Sequence, residues 1–136
     1  MKNKSYYTLV LFVIFGIVLN SCNQSLNEKN KSMEHSFSHH VFFWLNNPDN
    51  QDDRATFEKG IQELLQIPEI KSYHLGVPAS VEEREVVDGS YTYSYLVFFE
   101  NQEGHDIYQD HPLHHKFIDD CKHLWSKVLV YDSVME

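Results

Sequence analysis

Tyr91–Glu100 (YTYSYLVFFE) constrains the fold more than any other stretch of the chain. In an extended backbone it puts Tyr91, Tyr93, Tyr95, Val97 and Phe99 on one side, a ladder of rings that needs an apolar layer against it. Ser38–Asn46 is a second strand, with His40, Phe42 and Trp44 on one face and Val41, Phe43 and Leu45 on the other. A segment apolar on both faces is expected to be covered on both.

Between these strands, Asn47-Pro48-Asp49 forms a turn, and Asp52 or Asp53 is expected to cap a helix. Phe57, Ile61, Leu64 and Leu65 then fall on one helical stripe, which Pro68 ends. Ile70–Val77 predicts a further strand, and the polar, acidic segment Pro78–Ser90 a loop. Asn101 caps a short helix through Asp110, and His111-Pro112 starts another, with proline where its missing N–H costs nothing. His114, Phe117, Ile118, Cys121 and Trp125 share one side of that helix, and Ser126–Met135 is the last strand.

The order β-α-β-β-α-β is that of a ferredoxin-like α+β fold, an antiparallel sheet with its helices on one face. The other face would stay bare; Val41, Phe43, Leu45, Leu96 and Phe98 are expected on it. Closing two such faces against each other would give a homodimeric α+β barrel.

The N-terminus carries a different signal. Lys2 and Lys4 precede the apolar run Thr8–Leu19, whose twelve residues span roughly 18 Å as a helix, short of the ~30 Å hydrocarbon core. Residues 1–21 therefore read as a cleaved signal peptide. Leu19-Asn20-Ser21-Cys22 resembles the lipobox of bacterial lipoproteins, in which the cysteine is acylated. This implies a lipid anchor at Cys22 in the bacterial cell envelope, a flexible tether over 22–36, and a domain over 37–136. Losing Lys2 and Lys4 with the leader takes the formal charge from −9 to −11, which argues against a nucleic-acid partner. With Cys22 acylated, Cys121 has no internal disulfide partner, and its place on the apolar helix side makes it a buried hydrophobe.

Within the domain, His40-Val41-Phe42-Phe43, Ile67-Pro68, Tyr108-x-x-His111-Pro112-x-His114, Phe117, Trp125 and Val128-Leu129-Val130-Tyr131-Asp132 resemble the stress-responsive A/B barrel (Dabb) family over His39–Val134. The resemblance implies a dimeric α+β barrel and no single activity, with a stress-related role among the options. A plant polyketide cyclase of that family closes the olivetolic acid ring in a pocket between sheet and helices. Its catalytic tyrosine and histidine correspond to Tyr108 and His114, its first-strand histidine to His40, and a further pocket histidine to Tyr93. Phe42, Trp44, Phe57, Tyr73, Tyr95, Phe117 and Trp125 are the remaining expected pocket positions. The substitutions imply a different ligand, small and apolar or aromatic.

Three functions stay open. Tyr108 and a neutral His114 near a helix N-terminus could act as an acid–base pair in a cyclase- or isomerase-like enzyme. The same pocket could bind a ligand without turnover. His111, His114 and His115, near which His39, His40 and His105 could lie, could bind a metal. No metal site is assigned to that cluster, because its histidines diverge around the helix and no carboxylate or thiolate completes a tetrahedron. No cofactor is expected.

Overall fold

The structure is a computed structural model, and it describes residues 37–136. The expected signal peptide, the acylated Cys22 and the tether lie outside the described residues. Among the described residues, no helix is long and apolar enough to cross a membrane.

The elements are β1 (Phe37–Leu45), α1 (Gln51–Leu64), β2 (Ser72–Gly76), β3 (Tyr93–Phe99), α2 (Gln102–Asp110), α3 (Pro112–Cys121), a 3-10 turn (Lys122–Leu124) and β4 (Trp125–Val134). The strands form one antiparallel sheet in the order β2-β3-β1-β4. This is the ferredoxin-like α+β arrangement the sequence predicts.

Local chemistry explains the boundaries. Asn50, not Asp52 or Asp53, caps α1: its extended backbone lets the side-chain oxygen accept from the amides of Asp52 and Asp53 at 2.9 and 3.2 Å. The two aspartates then sit in the first turn, where they complement the helix dipole. Asn101 caps α2 by accepting from the Gly104 amide. At His111 the backbone turns extended, as expected before proline, and the second helical segment breaks into α2 and α3.

β1 alternates strictly, with Phe37, His39, Val41, Phe43 and Leu45 buried. The first four pair with Phe99, Val97, Tyr95 and Tyr93 of β3, which places both sets on the helix side. The core closes where Phe57, Ile61 and Leu64 of α1 and Phe117 and Cys121 of α3 meet that layer. Phe57 lies 4.9 Å from Phe43, 4.8 Å from Tyr93 and 5.8 Å from Phe117, ring centre to ring centre. Gly60 permits the approach of α1 to α3, since a β-carbon there would lie 2.6 Å from the Cys121 Sγ.

The strand faces differ from expectation in one respect. Val41, Phe43 and Leu45 are core residues and do not belong to the bare face. That face carries His40, Phe42 and Trp44 together with Leu96, Phe98, Leu129 and Tyr131. The odd-numbered residues of β1 include four apolar side chains with Phe37, and the more apolar face takes the helices.

Candidate functional site

A cavity of about 220 Å³ lies between the helix side of the sheet and the helices. His39, Val41 and Phe43 of β1, Tyr95 of β3, and Val128 and Val130 of β4 form its floor. Leu64 of α1, Tyr108 and Gln109 of α2, and His114, Phe117 and Ile118 of α3 form its roof, with Trp125 at one end. Phe117 and Trp125 stack at 5.7 Å, so the apolar end has a rigid aromatic wall. Val128 and Val130 are 44% and 43% exposed, which leaves the cavity accessible along β4. Larger hollows of about 640 and 410 Å³ lie around the exposed segment between β2 and β3, the smaller of them reaching the buried Leu45 and Thr92.

Five of the predicted site residues meet here: Tyr95, Tyr108, His114, Phe117 and Trp125. Two neighbouring core residues do not line the cavity. Phe57 is fully buried in the aromatic stack, and Tyr93 donates its hydroxyl hydrogen bond to Glu58 beneath the Arg54 guanidinium. Tyr73 is on the edge strand, 56% exposed. His40, Phe42 and Trp44 occupy the opposite sheet face, where His40 Nε2 meets Ser94 Oγ at 2.8 Å and Trp44 Nε1 donates to Ser90 Oγ. The first-strand histidine that enters the cavity is His39, one position earlier than the resemblance suggested.

The polar groups of the cavity are neutral. Tyr108 and His114 pack edge to face, ring centres 5.0 Å apart. Burial drives the His114 pKa down to about 4, with His115 and His39 adding smaller contributions in the same direction. Burial also holds the hydroxyls of Tyr95 and Tyr108 well above the usual phenol range. The Tyr95 hydroxyl and His114 Nδ1 are buried without a well-formed hydrogen bond, with the Tyr108 hydroxyl and the Gln109 backbone as the polar groups beside Tyr95 and His114.

His39 and its surroundings had little signal in the sequence. His39 Nδ1 lies 2.6 Å from Asp132 Oδ1, directly across the β1–β4 ladder. Burial lowers the His39 pKa against the pull of Asp132, so a neutral imidazole donates Nδ1–H to the carboxylate. His105 of α2 stacks on Phe37 at 4.5 Å, its ring centre 5.2 Å from that of His39. One donor atom each from His39, His105 and Asp132 lies within 4.8 Å of the others. Only the parity of β1 and the pairing of two strands 93 residues apart could have revealed this group. His111, His114 and His115 do not converge in this way: His111 Nδ1 accepts from the Leu113 amide, and His115 is exposed.

A family model described as Stress responsive A/B Barrel Domain matches residues 37–135. A hydroxynitrile lyase from Passiflora edulis is 18% identical with a TM-score of 0.64, covering 76% of this chain and 95% of that one. A Dabb family protein with a ferredoxin-like fold from Mesorhizobium loti is 20% identical with a TM-score of 0.61, covering 75% and 98%. A dimeric ferredoxin-like protein of unknown function from Thermobifida fusca is 19% identical with a TM-score of 0.60, covering 76% and 93%. At these identities the likeness establishes the fold. No curated protein matches the chain at a significant level.

Proposed function

The chain belongs to the stress responsive A/B barrel domain family, and from that premise we propose that it is a lipid-anchored, homodimeric envelope protein that binds one small neutral aromatic molecule between sheet and helices. The observation that carries the ligand is the cavity's pairing of an apolar, ring-lined interior with two buried polar atoms, the Tyr95 hydroxyl and His114 Nδ1, that lack a well-formed hydrogen bond. An apolar cavity of ~150 Å³ accommodates benzene, so about 220 Å³ suits a single ring with a small substituent. No lysine or arginine lines the cavity and its histidine pKa values are depressed, which favours a carbonyl or hydroxyl group over an anion.

Binding without turnover fits the electrostatics better than acid–base catalysis by Tyr108 and His114. A base works best with a pKa near the working pH, and an imidazole at about 4 is a hydrogen-bond acceptor first. The test is calorimetric titration of the full chain with benzaldehyde. Tyr108→Phe should weaken binding about tenfold, the loss of one hydrogen bond, and Phe117→Trp should abolish it by filling the cavity. Unchanged affinity in both variants would remove the cavity as the binding site.

The membrane anchor rests on Leu19-Asn20-Ser21-Cys22 following a short apolar run. Labelled palmitate should enter the protein in a bacterial host and be lost in Cys22→Ala. Equal labelling of the two would exclude Cys22 as the anchor.

A further inference from the structure

We infer that His39, His105 and Asp132 form a binding site for one divalent transition-metal ion of the zinc class, held by two imidazoles and a carboxylate. The three donors come from β1, α2 and β4, and their convergence within 4.8 Å depends on the tertiary fold alone. Two of them are set by the sheet: His39 and Asp132 are opposite residues of one ladder, so their backbones cannot drift apart without breaking it. The third is held by the stacking of the His105 ring on Phe37 at 4.5 Å.

The surroundings fit a metal better than a lone hydrogen bond. Phe37, Phe99 and Tyr108 crowd the histidines with aromatic rings, the apolar shell that restricts water around a bound ion. His105 also has an outer partner on either ring nitrogen: Asp106 Oδ1 lies 3.3 Å from Nδ1 and Gln109 Nε2 lies 3.0 Å from Nε2. Whichever nitrogen turns to the ion, the other keeps a neighbour that can orient the ring. The carboxylates of Asp132 and Asp106 lie against the two imidazole rings, at 2.6 and 3.3 Å, so negative charge stands beside the nitrogen donors where a dication would sit. Nitrogen and oxygen donors in this proportion suit zinc and its neighbours, with bonds of ~2.0–2.2 Å and at least one coordination position left for water. A small rotation of Asp132, whose side chain is 41% exposed, would open its 2.6 Å contact with His39 to admit the ion.

This site differs from the His111/His114/His115 run and does not depend on what the cavity binds, although His39 also forms part of the cavity floor. The experiment uses the full chain, freed of metal with a chelator and titrated with Zn²⁺ alone, then with Co²⁺ as a spectroscopic probe. One equivalent should bind per chain, and cobalt should give the visible absorption of a low-coordinate nitrogen–oxygen site. His105→Phe keeps a ring on Phe37 and removes a ligand; it should lower zinc affinity at least tenfold and abolish the cobalt spectrum. Asp132→Asn, at a half-exposed position, should do the same if His105→Phe proves unstable. The double variant His111→Ala/His115→Ala should bind like the parent. Absence of a stoichiometric site, full affinity in His105→Phe or in Asp132→Asn, or loss of binding in the double variant would each overturn the proposal.

Discussion

A half-buried histidine leaves a thermodynamic trace that can be read without knowing the ligand. His114 has its pKa lowered from 6.5 to about 4, and burial is the main cause. Between those values the unfolded chain holds more protons than the folded one, so stability rises with pH across that window. Acidification from pH 6.5 towards 4 should therefore destabilise the protein progressively. His39 and His40 shift in the same direction. Carboxylates with lowered values, such as Glu63 beside Lys116 and Asp88 beside Ser90, contribute stability above their unfolded pKa that is lost as the pH falls through the lowered folded value, the same sign as for the histidines. Urea unfolding at several pH values should show the slope, and it should be shallower in His114→Gln. Superimposable slopes for parent and variant would mean that His114 is hydrated in the folded state. The same residue shows what the sequence can convey: its place on the apolar side of α3 is a matter of helical spacing, and its neutrality follows from that place.

The helices were legible because each announces itself locally. α1 has its stripe of Phe57, Ile61 and Leu64, and α3 has Pro112 at its start with Phe117 and Cys121 on one side. Strand existence was equally clear, and strand facing was not. β1 is apolar on both sides, and a shift of one residue exchanges its two faces entirely. His40, Phe42 and Trp44 were therefore expected in the pocket, and His39, Val41 and Phe43 line it. The register with β3 decides the matter: Tyr93, Tyr95, Val97 and Phe99 are buried against the helices, and their partners on β1 must face the same way. Tyr91 begins the predicted ladder but lies before β3 and packs on Phe42 at 4.9 Å, on the other face. The expected pocket thus divided into four parts: the cavity, the core behind it, the open sheet face, and the edge strand with Tyr73.

At the scale of the whole molecule, that open face is an apolar surface with no element packed on it among the described residues. Phe42, Trp44, Leu96 and Phe98 are only partly buried there, and Tyr131 is 58% exposed. A sheet face so apolar is poorly suited to water and well suited to a second copy of itself. Leu96→Glu should convert the proposed dimer to monomer in sedimentation equilibrium, because each subunit would bring a carboxylate into a dry interface. The cavity, on the opposite face, should keep its affinity for benzaldehyde. A parent chain that sediments as a monomer, or a variant that stays dimeric, would dispose of the face-to-face assembly. Taken alone, the sequence determined the order of elements, the Asn101 cap, the helix break at His111-Pro112 and the apolar periodicities, since all of these depend on neighbours a few residues apart. Only the tertiary structure decided which face of β1 looks inward and which side of the sheet stays open. It alone brought His39, His105 and Asp132 together. Pairing between strands far apart in the chain is chosen by the packing of the whole layer, and no local stretch of sequence contains that choice.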